Sequence, residues 1–256
     1  MKEECTLPVR SCLGNHDIWG WNKARSKTTG AEPLWGKRRA LEALGLERPY
    51  HSFDRGGWHI VMLDSTSPFR EADYIARVDE AQFAWLEADL TANAGKHVLI
   101  ASHIPVFSPA GILMTCGEDA KLPARLSSSG SLVHLDTRRL HELFVRAGNV
   151  RACISGHLHL IDHAEFCGIM YLSNPAISGN WWKGKHLGRF GEMYTLIDLF
   201  DDGTLSVEYV PYGWTARALP DDKPSALYPP AATRPTTEPA TSPATMSATR
   251  PTTAPG

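Results

Sequence analysis

Apolar and polar positions follow two regimes along this chain. Up to about residue 155, short apolar runs are separated by stretches of helical spacing; beyond it, short strand-like runs succeed one another. Leu7 to Leu13 reads as a short apolar strand ending at Gly14, and Gly57 to Asp64 as a buried strand. Asp79, with Gln82 three residues later, predicts a capped helix start; Phe83, Leu86 and Leu90 form its inner face and Gly95 stops it. His97 to Ala101 predicts a strand that ends at Ser102-His103. Asp136 opens a second helix, in which Leu140, Leu143, Phe144 and Ala147 recur at helical spacing before Gly148 ends it. Val150 to Ser155 is a strand running into Gly156-His157. After it, Ala164 to Leu172, Glu192 to Phe200 and Thr204 to Val210 predict antiparallel strands, with Asp202-Gly203 as a hairpin turn. Mixed α/β order followed by mostly β order predicts a layered α/β sandwich.

The pattern fails from about Asp221 to Gly256. This stretch is mostly Pro, Ala, Thr and Ser and contains the near-repeat Ala232-Thr233-Arg234-Pro235-Thr236-Thr237 and Ala248-Thr249-Arg250-Pro251-Thr252-Thr253. Too little apolar surface is available to offset its ordering entropy, so residues 221–256 are expected to form a disordered tail and residues 1–215 one domain.

Composition narrows the choice of partners. A net charge of -2 with no basic stripe gives no nucleic-acid or membrane signal. No apolar run is long enough to span a bilayer. The start, Met1-Lys2-Glu3-Glu4-Cys5, lacks a charged-then-apolar leader pattern, and the compartment stays open. The 5 cysteines include no C-x-x-C pair; Cys12, Cys153 and Cys167 sit in apolar runs and are expected to act as small buried hydrophobes.

Three polar stretches follow apolar strands: Gly14-Asn15-His16-Asp17, Ser102-His103 and Gly156-His157-Leu158-His159. Ligands of α/β sheets bind beyond the carboxyl ends of strands. A single loop histidine is more often a packing residue. Jointly, the Asn15 amide and the imidazoles of His103, His157 and His159 form a mixed oxygen and nitrogen donor set suited to zinc, manganese or iron.

In this order and spacing the three motifs resemble the calcineurin-like metallophosphoesterases, over roughly residues 5 to 215. Trp58-His59-Ile60-Val61-Met62-Leu63-Asp64-Ser65 and Gln82-Phe83-Ala84-Trp85-Leu86 strengthen the match. The resemblance implies a layered α-β-β-α sandwich and hydrolysis of a small phosphate ester by a metal-activated water. It implies that Asn15, His103 and His157 bind one divalent ion and His159 a second, that His16 protonates the leaving oxygen, and that Asp17 orients His16.

One departure accompanies the match. The family pattern opens with Asp-x-His and Gly-Asp-x-x-Asp, and neither occurs in this chain. The sandwich is therefore expected to lack its first two strands, and the chain to hold one ion or none and to be impaired. Three accounts are open: a missing N-terminal segment, a truncated non-catalytic remnant that binds or scaffolds, or a partner chain supplying the rest. His51, His59, His97, His134, His141, His163 and His186 are expected to be surface or satisfied partly buried residues, and Asp64 and Asp162 to pack at strand ends or turns. Asn180-Trp181-Trp182-Lys183-Gly184-Lys185-His186 reads equally as a substrate-mouth loop and as a packed loop with a basic rim. Lys37-Arg38-Arg39 is assigned to the exposed face of a short helix.

Overall fold

Trp58–Met62, His97–Ser102 and Val150–Ser155 are apolar on both sides, as parallel strands covered on two faces require. In the computed structural model, which describes residues 6–70, 73–114 and 130–216, they form the centre of a mixed six-stranded sheet. In chain order the strands are β1 (His51–Arg55), β2 (Trp58–Met62), β3 (Thr66–Phe69), β4 (Asp73–Ala76), β5 (His97–Ser102), β6 (Val150–Ser155), β7 (Asp162–Phe166), β8 (Ile169–Ser173), β9 (Met193–Leu199) and β10 (Leu205–Pro211). The α-helices are α1 (Lys23–Ser26), α2 (Arg38–Leu44), α3 (Glu80–Ala92), α4 (Pro109–Leu113) and α5 (Thr137–Ala147). The large sheet has the order β1-β2-β5-β6-β8-β7. Its four inner strands run parallel, and β1 and β7 close the edges antiparallel.

Helices α3 and α5 cover one face. Phe83, Leu86 and Leu90 from α3 and Leu140, Leu143 and Phe144 from α5 meet Val61, Val98, Ile100 and Cys153 in one buried cluster. Asp79 caps α3 through the Gln82 N–H, as the sequence predicts, and Gly148 ends α5 with φ 72°. Helix α3 ends at Ala92 with Asn93 as its cap, two residues before Gly95. The hairpin β9–β10 lies against the opposite face, where Leu199 and Leu205 pack on Trp58, Leu99 and Ala152. The Trp58 indole N–H donates to the Phe200 carbonyl at 2.9 Å and ties the two sheets together.

Several expectations are corrected. Residues 6–13 form no strand. Pro8 has no N–H to give a ladder, and Leu7 and Val9 are 73% and 46% exposed; only Leu13 is fully buried. Ala164 to Leu172 is not one strand but the hairpin β7–β8. Its Cys167-Gly168 turn has φ of 53° and 73°, the left-handed pair that matches strand twist. Cys167 is therefore exposed, whereas Cys153 is buried; the half-buried Cys12 thiol is pushed up to about 12, mainly by burial. Cys5 and Cys116 lie outside the described residues, as does the tail expected over 221–256. Among the described residues no helix is long and apolar enough to cross a membrane.

Candidate metal centre

Strands β5 and β6 end side by side, with Ser102 paired to Ser155 and the Gly156 N–H donating to the His103 carbonyl at 3.1 Å. This register brings His103 and His157 together from positions 54 residues apart. Their ring centroids lie 5.0 Å apart, at 69°. The short 3-10 turn Asn15–Asp17 delivers the third group: Asn15 Oδ1 is 2.9 Å from His103 Nε2, and His157 Nδ1 is 3.2 Å from the same nitrogen. An amide oxygen and two imidazole nitrogens thus converge on one point.

The glycine of the first motif has a steric reason. A Cβ on Gly14 would stand 2.9–3.0 Å from three atoms of the His103 ring, closer than real Cβ atoms come. Asp17 braces the same turn, accepting the Gly14 N–H at 2.7 Å while the Asp17 N–H donates to the Gly14 carbonyl at 3.1 Å. The contact seen for Asp17 is with backbone rather than with the His16 imidazole. His16 is exposed, and its charge is among the causes that hold His103 and His157 down.

Proton positions follow from partners that only accept. His157 Nε2 lies 2.8 Å from the Ser131 carbonyl and must carry the hydrogen, which leaves the Nδ1 lone pair facing His103. His159 Nδ1–H donates to the Gly179 carbonyl at 2.7 Å, so the neutral ring keeps its lone pair at Nε2. His103 and His157 are each pushed down to about 4, chiefly by burial and then by neighbouring histidines. Both are neutral donors at physiological pH. Shifting the His103 proton to Nδ1 makes all three converging atoms lone-pair donors, so this donor set fits a divalent cation of borderline softness.

The Gly156–His159 turn holds unusual backbone. His157 and His159 have φ of 64° and 55°, in the left-handed region that costs a side-chain-bearing residue energy. Leu158 between them is buried, and its N–H donates to the Gly156 carbonyl at 2.7 Å.

Behind His103 lies a polar network. Ser102 Oγ is 3.4 Å from His134 Nε2, and His134 Nδ1 donates to Asp136 at 2.9 Å. This resembles a nucleophile triad in composition only. The Ser102 hydroxyl is committed to the Ile104 carbonyl at 2.7 Å, and both Ser102 and His134 are buried. The network fixes the loop after β5, and His134 is satisfied as expected but fully buried rather than partly so. Asp64 and Asp162 are likewise structural: Asp64 pairs with Lys37, and Asp162 accepts the Ala110 N–H at 2.9 Å and the Ser108 hydroxyl. Lys37 therefore points inward rather than standing on an exposed helix face.

The sequence offers His186 only as part of a loop that could line the substrate mouth, and it does not mark Tyr74 or the carbonyls of Ser131 and Gly179. His186 lies 6.1 Å from His159 by ring centroids, and Tyr74 meets His157 edge-on at 6.1 Å. The Trp181 half of the aromatic loop belongs to the site, with its ring 4.5 Å from His159. The adjacency of Trp181 and His186 in a loop rich in basic residues was the available signal.

A family model described as calcineurin-like phosphoesterase matches residues 1–160, and the chain belongs to that family. It is similar to a probable cyclic nucleotide phosphodiesterase of Rhodococcus erythropolis (strain PR4 / NBRC 100887), 27% identical over 163 residues, which is 63% of this chain and 46% of that protein. The chain thus spans about half the length of that curated relative. It also matches the crystal structure of a dimetal phosphatase from Danio rerio, at 16% identity and a TM-score of 0.39, covering 62% of this chain and 59% of that one. Membership of the family implies divalent metal ions. Among the described residues no three or more His, Cys, Asp or Glu side chains are gathered to hold one; the convergent set is two imidazoles and an amide.

Proposed function

We propose that the chain serves phosphate-ester hydrolysis at a metal centre in which Asn15, His103 and His157 hold one divalent ion, of zinc, manganese or iron, and His159 Nε2 faces a second. The observation that carries this reading is the convergence of Asn15 Oδ1 and His157 Nδ1 on His103 Nε2, at 2.9 and 3.2 Å. When bound, such ions polarise the phosphate and make a nucleophile of water. The chain's own groups do the rest. Gly14 leaves room for His103, and Asp17 holds the turn closed. The exposed His16, next to Asn15 in the same turn, is the group we assign to protonating the leaving oxygen, a task worth about 10²- to 10⁴-fold. The name of the Rhodococcus relative favours a phosphodiester, a cyclic nucleotide among them, over a monoester.

The donors are all neutral, which favours weak metal retention and slow turnover by residues 1–256 alone. The same observation favours a second reading, a module that binds phosphate esters without hydrolysing them. Metal content and turnover of bis(4-nitrophenyl) phosphate and 4-nitrophenyl phosphate, with manganese or zinc supplied, separate the two. Metal-dependent release of nitrophenol that is lost in His157→Ala supports the hydrolase; bound metal and ester with no release supports the module; no metal uptake at all sinks both.

A further inference from the structure

We propose that Trp181 is the stacking face of a subsite for a planar aromatic group, a nucleobase or aryl ring, carried by the phosphate ester. This rests on the reading of His103, His157 and His159 as the phosphate-binding centre. The Trp181 ring lies 4.5 Å from His159, tilted by 35°, and meets His186 edge-on at 5.9 Å. It is one ring away from the centre, yet 51% exposed. An organic group leaving a phosphate beside His159 therefore meets an open indole surface.

The loop holds that surface ready. Trp181 and Trp182 have φ of 51° and 66°, a conformation bulky residues rarely take. The Asn180 N–H donates to the Gly184 carbonyl at 3.0 Å and the Trp182 N–H to the Ser178 carbonyl at 2.7 Å. Trp182 stands edge-on to Trp214 at 5.0 Å, and the Tyr212 hydroxyl donates to the Ile177 carbonyl at 2.7 Å, so the segment just after β10 buttresses the loop. The His159 bond to Gly179 ties its other end to the centre. A braced, half-open indole spends little conformational entropy on binding. Stacking of this kind recognises any flat π-face, so it selects aromatic esters as a class.

The test uses the full chain with manganese and measures equilibrium binding of adenosine 5′-monophosphate, phenyl phosphate and ribose 5-phosphate. Wild type is expected to bind at least one aromatic ester about 10-fold or more tighter than ribose 5-phosphate, in line with stacking on one indole. Trp181→Ala should bring the aromatic esters to within about 2-fold of ribose 5-phosphate and leave the latter unchanged. Trp181→Leu, which keeps apolar bulk over His159, should lose the same increment, and Trp181→Phe should restore part of it. Preference for the nucleotide alone assigns a nucleobase, and equal preference assigns any aryl ring. Equal affinities in wild type, or an equal loss for all three esters in Trp181→Ala, overturn the proposal. Metal-independent or absent binding of ribose 5-phosphate defeats the reading of the centre instead, while the aromatic increment is still read on Trp181.

Discussion

Two kinds of histidine stand in and around this one sheet, and they differ in what they face. His59 on β2 is buried with its two ring nitrogens 2.8 Å from Asp54 and 2.8 Å from Asp89, and His134 faces Asp136 at 2.9 Å. His103, His157 and His159 instead face an amide, one another and backbone carbonyls. A carboxylate saturates an imidazole and fixes the chain around it. A carbonyl on one nitrogen fixes only the tautomer and leaves the other nitrogen's lone pair for a cation. The difference separates histidines that hold the fold from the histidines to which we assign the proposed metal centre.

The sharpest way to break the comparison is His157→Ala. Bound metal and hydrolysis should fall by more than the roughly 10- to 100-fold that loss of a group behind a metal ligand costs, read by metal analysis and nitrophenol release. The melting temperature of the chelator-treated chain should stay near wild type. The next effect is a pH series on the metal-free chain. His103 and His157 sit at about 4 folded against 6.5 unfolded, so the unfolded chain binds more protons between these values. Their contribution is full above about 6.5 and is lost as pH falls toward 4. Urea midpoints should record a loss of about 2 kcal/mol per imidazole by pH 5, and His103→Gln should flatten the slope.

On the structural side, Asp89→Asn should cost roughly 1.5 kcal/mol of stability with metal uptake unchanged. If it abolished metal binding while the fold stayed stable, the separation of the two kinds would collapse. The smallest effect is expected from Gly14→Ala. Its methyl would press on the His103 ring, and metal affinity should drop about 10-fold with little change in melting temperature.

Much of the fold was legible because its signals are local. The Asp79 cap, the apolar stripe of α5 and the apolar runs of β2, β5 and β6 need no distant partner to be read. The misreadings are cases where distant or backbone effects decide. Residues 6–13 look like a strand by composition but form no ladder, and the Cys167-Gly168 turn hides inside an apolar run because its cue is a left-handed cysteine. In the site, His103 and His157 meet at the ends of β5 and β6 as the motifs suggest, whereas Asn15 reaches them from a turn that follows no strand. The Ser131 and Gly179 carbonyls carry no side-chain signal, so no sequence pattern marks them.

The buried Leu158 between two left-handed histidines has a consequence for binding. Reversing either positive φ would swing Leu158 out of the core, a loss of about 1.5–3 kcal/mol in addition to the turn's own hydrogen bond. The backbone under the two imidazoles is therefore set as one unit, and each ring keeps rotation only about its own side-chain bonds. A group bound by His157 and His159, as proposed, would meet a turn already in place, so ordering of that backbone would add nothing to the cost of binding.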